Sequence, residues 1–183
     1  MTMIEMVVEG IGIDPHNNPL VLLRDADRKT FLPIWIGPSE AYSIQMELDN
    51  RQPQRPMTHD LLDCIFRELG VHLVKVTVND FADQVYYASL HLQIGHNEDS
   101  LQEVDARPSD AIAMALRAHC QILVSEVVAQ SAGIQVEETT GAEGEGLGAS
   151  ESHEDAADEI EKFVKLLEDV NLSDETEGKS EQN

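Results

Sequence analysis

At 183 residues the chain is long enough for one domain with a hydrophobic core and an additional tail, and too short for two full domains. Its 12 Lys and Arg stand against 35 Asp and Glu, a formal net charge of -23. Such a charge repels nucleic-acid phosphates at long range, so a nucleic-acid-binding role requires a local basic patch or bound cations. Adaptation of the surface to a saline cytosol is the alternative interpretation of this acidity.

The first part of the chain predicts three strands followed by two helices. Residues 3–13 and 19–24 are rich in Val, Ile and Leu on either side of a polar turn, and a third strand ends at Ile36. Helical patterns then run from Ser39 to about Asp49 and from Thr58 to Gly70, with Thr58 as the expected N-cap of the second helix.

The second part repeats this order. Residues 71–78, 85–94 and 101–105 predict three strands, and a helix spans Ser109 to His119. A brief extended segment at 122–124 leads to a short last helix, which Ser125 caps and Gly133 ends. The predicted fold class is therefore α+β: a duplicated β-β-β-α-α unit with a largely antiparallel sheet and helices packed on it.

A repeated tetrapeptide indicates the duplication. Residues 38–41, Pro-Ser-Glu-Ala, return as residues 108–111, Pro-Ser-Asp-Ala, and each copy places an acid in the first turn of a predicted helix. A helix N-terminus gathers free N–H groups and the positive end of the dipole, so two such ends could form one polar site. We therefore expect Glu40 and Asp110 to lie near each other.

The expected organisation is one domain followed by a tail. Residues 1–133 form the domain, and residues 134–156, rich in Gly, Glu, Ser and Ala, form a flexible acidic linker. Apolar residues at helical spacing in residues 157–172 predict an amphipathic helix that docks on its own domain or on a protein partner. Residues 173–183 are expected to be a disordered acidic end. Because no window approaches the roughly 20 apolar residues of a membrane span, we expect a cytoplasmic protein with no membrane partner.

Three separated motifs resemble one known family. They are Leu-Pro-Ile-Trp-Ile-Gly at 32–37 followed by Glu-Ala at 40–41, Arg-Pro-Met-Thr-His-Asp-Leu at 55–61, and Asp-Ala-Arg-Pro-Ser-Asp-Ala-Ile-Ala at 105–113 with Leu-Arg at 116–117. In this order they resemble the bifunctional nuclease family over about residues 3–133. The resemblance implies a duplicated three-strand, two-helix fold and action on DNA and RNA, as described for the plant members.

Nuclease chemistry gives the motif residues specific roles. Phosphodiester hydrolysis uses carboxylates that hold a divalent metal, a base, and a cation for the developing charge. The candidate catalytic residues are Glu40, His59, Asp60, Asp105 and Asp110. Among them Glu40, Asp105 and Asp110 are the expected ligands of Mg²⁺ or Mn²⁺, while Arg55 and Arg107 are expected to bind the phosphates of a DNA or RNA substrate with low sequence specificity.

The same residues also have a structural interpretation. Acids in a first helical turn stabilise the dipole, and Ser39, Thr58 and Ser109 can serve as ordinary caps. An internal ion pair of Arg107 with Asp60 would account for both of these residues. The chain would then be a non-enzymatic binding or assembly module, with an anion or small-ligand pocket or a subunit interface at the paired helix N-termini.

Two further expectations concern the surface. The aromatic residues lie mostly in apolar patterns, so we expect core packing for Trp35, Tyr42, Phe66, Tyr86 and Tyr87. That expectation argues against single-strand nucleic-acid binding, which uses exposed aromatic rings. An open sheet edge in a small duplicated domain favours a homo-oligomer of unspecified size.

Overall fold

The computed structural model describes residues 2–27, 29–95 and 100–135, which belong to a unit spanning residues 1–136. The strands described are β1 (Met3–Ile13), β2 (Pro19–Asp25), β3 (Thr30–Trp35), β4 (Val71–Ala82), β5 (Val85–Ile94), β6 (Leu101–Ala106), β7 (Gln121–Ser125) and β8 (Ile134–Gln135). The helices are α1 (Pro38–Leu48), α2 (Thr58–Glu68), α3 (Pro108–Ala118) and α4 (Glu126–Ala132). The predicted α+β class is confirmed.

All eight described strands form one sheet in the order β6-β5-β4-β7-β1-β2-β3-β8. Neighbouring strands are antiparallel except β4 and β7, which are parallel. The strands β1–β3 and β4–β6 form two meanders, and β7 joins the meanders by pairing with β1 and β4. The sheet is therefore largely antiparallel, as expected.

The chain order departs from the expected pattern after α3. In the first part the order β-β-β-α-α is as predicted. In the second part the brief extended segment predicted at 122–124 is strand β7, a member of the sheet that separates α3 from α4, and β8 follows α4. Because Ile134 and Gln135 pair with β3, the sheet continues past Gly133, where the domain was expected to end. The linker from residue 136, the amphipathic helix at 157–172 and the acidic end at 173–183 lie outside the described residues.

Helix α3 lies at the centre of the hydrophobic core. Seven of its eleven residues are buried: Pro108, Ser109, Ala111, Ile112, Ala113, Met114 and Ala115. It contacts β4, β5 and β7 of the sheet as well as α1 and α2. Small alanine side chains favour the helical conformation and allow close approach on several sides at once, so this sequence suits a central helix.

The first turns of α1, α2 and α3 differ from the prediction. The N-cap residues are Gly37, Met57 and Arg107, not Ser39, Thr58 and Ser109. In α1 and α3 a proline occupies the first helical position, where its fixed φ suits the helix and its missing N–H costs nothing. The predicted caps therefore lie one or two positions inside their helices, and Glu40, Asp60 and Asp110 each occupy the third position.

No helix in the described part of the chain has the length and apolar character needed to span a membrane.

The expected core packing of the aromatic residues is wrong for three of them. Trp35 is 40% exposed, and Tyr42 and Tyr87 are also exposed, whereas Phe66 and Tyr86 are partly buried against the core. Trp35 is the last residue of β3 and Tyr42 lies on the outer side of α1, so neither side chain is covered although both stand in apolar stretches.

Candidate functional site

Seven side chains from α1, α2 and the segment 107–118 form one hydrogen-bonded group, the ion-pair cluster. Its members are Glu40, Ser43, His59, Asp60, Arg107, Asp110 and Arg117. The three acids share the third helical position, where free N–H groups and the helix dipole stabilise a carboxylate. In α2 this is visible directly, because Asp60 Oδ2 accepts a hydrogen bond of 2.8 Å from the backbone N–H of Met57.

Arg107 connects the first turns of α1 and α3. Its Nε donates to Asp110 Oδ2 at 2.7 Å and its Nη2 to Asp110 Oδ1 at 3.0 Å, a bidentate pair. The same Nη2 lies 2.8 Å from Glu40 Oε1. The expected proximity of Glu40 and Asp110 is therefore confirmed, because both carboxylates bind one guanidinium. The Arg107 side chain remains 65% exposed.

Arg117 lies at the opposite end of α3 and is buried. Its Nε donates to Asp60 Oδ1 at 2.7 Å, and its side chain is 5% exposed. Its other donors reach the Ala113 carbonyl at 2.9 Å and both the carbonyl and Oγ of Ser43 at 3.3 and 3.1 Å. The predicted pair of Arg107 with Asp60 is wrong: Asp60 pairs with Arg117, since Arg107 is held at the other end of the helix.

His59 is buried between α1 and α3 with a partner on each ring nitrogen. Its Nδ1 lies 2.9 Å from Ser43 Oγ, and its Nε2 lies 3.1 Å from Asp110 Oδ1. A carboxylate only accepts, so Nε2 carries a proton and donates to Asp110. Because Arg117 already donates to Ser43 Oγ, the hydroxyl proton of Ser43 is free to go to Nδ1, and this arrangement gives both ring nitrogens a partner. Ser43 is itself buried, so it orients His59 and is not placed to attack a substrate.

Two acids of the cluster, Asp60 and Asp110, are ionised more readily than free carboxyls. Burial by itself would raise the pKa of Asp110, but hydrogen bonds from Arg107 and His59 outweigh it and lower that pKa. The pKa of Asp60 is lowered in the same way, since the Met57 N–H and Arg117 outweigh the effect of burial. The pKa of Arg107 is raised, chiefly by its hydrogen bonds to Asp110 and Glu40. These charges are therefore fixed across the physiological pH range.

Two predicted site residues lie apart from this group. Asp105 is an exposed residue of β6, opposite Ser89 of β5, and Arg55 is exposed in the loop before α2. Within residues 2–27, 29–95 and 100–135 neither side chain makes a hydrogen bond or ion pair with the cluster. The structure thus brings together Glu40, His59, Asp60, Arg107 and Asp110, five of the seven predicted site residues.

The fit of a divalent cation depends on Glu40 and Asp110. Over the described ranges no group of three or more His, Cys, Asp or Glu side chains is arranged to hold a metal. However, Glu40 Oε1 and Asp110 Oδ1 lie 2.8 and 3.0 Å from the same nitrogen of Arg107. Since Mg²⁺ is commonly held by one or two carboxylates together with waters and substrate phosphates, these two acids fit such a cation if the exposed Arg107 moves aside.

Two cavities flank the cluster. One, of about 290 Å³, is lined by Arg107, Trp35, Tyr86 and mostly apolar neighbours. The other, of about 350 Å³, is lined by Asp60, Arg117, Cys64 and the loop between α1 and α2. Sequence reasoning missed the roles of Ser43, Arg117 and Trp35; Arg117 and Trp35 stand inside recognised motifs, whereas no local pattern distinguishes Ser43.

Comparison with known proteins shows what the chain is similar to. The family model described as the bifunctional nuclease domain matches residues 21–137, which include the whole cluster. An uncharacterized protein of Mycobacterium tuberculosis is 38% identical over 176 residues, covering 93% of this chain and 96% of that protein. Bifunctional nuclease 1 of Oryza sativa subsp. japonica is 26% identical over 129 residues, and Bifunctional nuclease 1 of Arabidopsis thaliana is 27% identical over 137 residues. The matches cover 70% and 68% of this chain but 39% and 42% of those plant proteins.

Proposed function

Because this chain belongs to the bifunctional nuclease domain family, we propose that it hydrolyses phosphodiester bonds of DNA, RNA or both, with low sequence specificity. The observation that carries the proposal is the exposed Arg107 guanidinium, which is held by Glu40 and Asp110 and lines a cavity. The plant proteins named bifunctional nucleases support the reaction class, although this chain matches only about two fifths of their length.

Arg107 is proposed to bind the substrate phosphate. Its Nε and Nη2 are occupied by the two carboxylates, while Nη1 makes no hydrogen bond within the described residues and is available to a phosphate oxygen. In the free protein Glu40 and Asp110 hold the guanidinium beside the cavity, and a bound cation would release it toward the phosphate. Removal of Arg107 should therefore weaken substrate binding directly.

The local charge favours a divalent cation beside Arg107. Two carboxylates and one guanidinium sum to -1, which disfavours a phosphate unless further positive charge is present. We propose that Glu40 and Asp110, once Arg107 has moved aside, hold Mg²⁺ or Mn²⁺, which would supply a Lewis acid for phosphate charge and lower the pKa of a bound water. The lowered pKa of Asp110 suits a cation ligand better than a general base, because the carboxylate stays ionised.

His59 and Asp60 are proposed to position the site. His59 donates through Nε2 to Asp110 and thereby fixes the direction of that carboxylate. Asp60 fixes Arg117, which in turn fixes the Ser43 hydroxyl that contacts His59. The chain of contacts makes the geometry at Asp110 depend on all three helices.

The test is cleavage of single- and double-stranded DNA and RNA by highly purified protein with Mg²⁺, Mn²⁺ or a chelator. We expect metal-dependent cutting that Arg107→Gln and Asp110→Asn abolish. Arg51→Gln is the matched control, because the Arg51 side chain is exposed and its one ion pair within the described chain is with Asp49, at 3.7 Å. Asp105→Asn and Arg55→Gln test the two predicted residues outside the cluster. Equal cutting by wild type and Arg107→Gln would show a contaminating nuclease and end the proposal.

A second candidate function is a non-enzymatic binding or assembly module. It is favoured by the edge strand β6, whose apolar Leu101 and Val104 are exposed next to an open ladder. We propose that this edge supports a homo-oligomer. Light scattering of wild type and Val104→Lys tests it, and a lower mass is expected for the variant.

We also propose that the two meanders, each followed by a helix with an acid at its third position, descend from one duplicated unit. Superposition of β1–α1 on β4–α3 tests this proposal.

A further inference from the structure

We infer that the 290 Å³ cavity beside Arg107 binds one unpaired nucleobase, so that the substrate is single-stranded nucleic acid. The inference rests on the proposed function, because it places a substrate base next to the phosphate that Arg107 binds. Its lining combines aromatic rings, aliphatic side chains and one flexible amide: Trp35, Tyr86, Ile34, Ile36, Val85 and Gln84. Such a wall suits the flat, apolar face and polar edge of a base.

Trp35 provides the exposed ring of this cavity. Its indole is 40% exposed although it lies on a strand whose other residues are buried. Stacking on an exposed aromatic ring is sequence-tolerant, because every base has a π-face. A cavity built around Trp35 therefore agrees with low sequence specificity. The exposure of Trp35 also answers the argument against single-strand binding, which rested on the expected packing of the aromatic residues in the core.

The indole is held in place by the turn between β1 and β2. Trp35 Nε1 donates to Asp14 Oδ2 at 3.1 Å. Asp14 in turn accepts from the backbone N–H groups of His16 and Asn18 at 2.9 and 2.8 Å, and from the Asn18 amide at 3.0 Å. Because the indole ring is already oriented, little side-chain conformational entropy is lost when a base stacks on it.

The far wall comes from the β4–β5 hairpin. Tyr86 donates its hydroxyl to the Pro33 carbonyl at 3.0 Å, and burial raises the pKa of that hydroxyl to about 12. Asp83 and Gln84 both have positive φ in a two-residue turn, which places Gln84 at the cavity with an exposed side chain. An amide can donate to or accept from any base edge, so Gln84 can contact a base without selecting one.

Arg107 in the cavity lining fixes where the phosphate of the same nucleotide lies. A base inside a duplex is stacked and paired, and reaching a cavity would cost its extrusion from the helix, whereas a single strand offers unstacked bases. The juxtaposition of an aromatic cavity and a guanidinium therefore favours single strands over duplexes. A free mononucleotide shares this chemistry and should bind as well.

The experiment uses intrinsic fluorescence, since Trp35 is the only tryptophan of the chain. The full-length protein is titrated with adenosine monophosphate, adenosine, ribose 5-phosphate and a short oligodeoxythymidylate, each with and without Mg²⁺, and with a blunt DNA duplex. We expect saturable quenching by the nucleotide and the oligonucleotide, weaker binding of adenosine, and no quenching by ribose 5-phosphate. Quenching by ribose 5-phosphate equal to that by the nucleotide, or none by any ligand, would overturn the base site.

Variants are then compared by anisotropy of a labelled oligodeoxythymidylate under non-cleaving conditions. We expect Trp35→Leu to weaken binding by about fivefold or more, which corresponds to about 1 kcal/mol. The dissociation constant of Trp35→Phe should stay within about twofold of that of wild type. Tyr87→Leu is the matched control, because Tyr87 is exposed on β5 but does not line the cavity. Equal binding by Trp35→Leu and wild type would overturn the inference even if cleavage is observed. Binding that depends on Trp35 without any cleavage would support the base site while the proposed nuclease activity fails.

Discussion

The buried pair of Arg117 and Asp60 offers a quantitative test of how α1, α2 and α3 are held together. Arg117 is 5% exposed and donates to Asp60 at 2.7 Å, to the Ala113 carbonyl at 2.9 Å and to Ser43 at two atoms. The substitution Arg117→Met retains most of the aliphatic stem and removes every one of these donors. It therefore isolates the polar contribution of the guanidinium.

The expected loss follows from the environment of each partner. Removing one member of a buried ion pair costs about 3–5 kcal/mol, because the remaining charge is left without compensation. Asp60 is 23% exposed and keeps its hydrogen bond from the Met57 N–H, so water and backbone recover part of that cost. The lower end of the range applies, and we expect Arg117→Met to reduce the free energy of unfolding by about 3 kcal/mol.

The assay is urea denaturation at neutral pH, followed by circular dichroism. Arg67→Met in α2 is the matched control, because the Arg67–Asp63 pair has the same 2.7 Å distance but an Arg67 side chain that is two-thirds exposed; we expect a loss below about 1 kcal/mol there. In a double-mutant cycle, Asp60→Asn should cost less in the Arg117→Met background than in wild type. A loss for Arg117→Met no larger than that for Arg67→Met would refute the view that this pair fastens the helices.

Three further predictions separate structural from functional residues. Arg107→Gln should change the free energy of unfolding by less than about 1 kcal/mol, because the side chain is 65% exposed, while abolishing cleavage; a large loss of stability would make Arg107 a structural residue. The lowered pKa values of Asp60 and Asp110 mean that the unfolded chain takes up protons first on acidification, so stability should be constant above about pH 5 and fall below about pH 4. Urea midpoints measured across this range check it, and Asp60→Asn should flatten the fall. Ser125→Ala should raise the melting temperature by a few degrees, because in the described part of the chain the buried Ser125 hydroxyl finds no hydrogen-bond partner; a lower melting temperature would indicate a partner such as a bound water.

The sequence predicts the parts of the fold that local residue patterns determine. The strands of the two meanders other than β6 are rich in β-branched and apolar residues, and α2 repeats its apolar residues at helical spacing. These elements were predicted close to their observed bounds, except that β4 runs on from residue 78 to Ala82. The position of β7 was not accessible. Residues 121–125 show only a short apolar run, and pairing between β1 and β4 depends on contacts distant in the chain.

The site was predictable in its members and not in its pairings. A Pro-Ser-acid motif identifies Glu40 and Asp110 by position alone, and their shared guanidinium follows once α1 and α3 pack together. Which arginine pairs with Asp60 depends on the length of α3, because Arg107 and Arg117 stand at its two ends. The exposure of Trp35 could not be predicted either, because an apolar stretch does not show which of its residues other elements bury.

The central place of β7 also bears on how the chain acquires its structure during synthesis on a ribosome. Met3 pairs with Ser125, so β1 keeps one open edge until nearly all of the described sequence has emerged. The two meanders pair residues that are close in the chain and can form early. Strand β7 is synthesised later, and its pairing with β1 closes a loop of more than a hundred residues. Until β7 is in place each meander exposes a strand edge that can pair with other nascent chains. Chaperone binding during this period would protect the edge from aggregation. We therefore expect the insertion of β7 to be a late step of folding, which joins the two meanders into one continuous sheet.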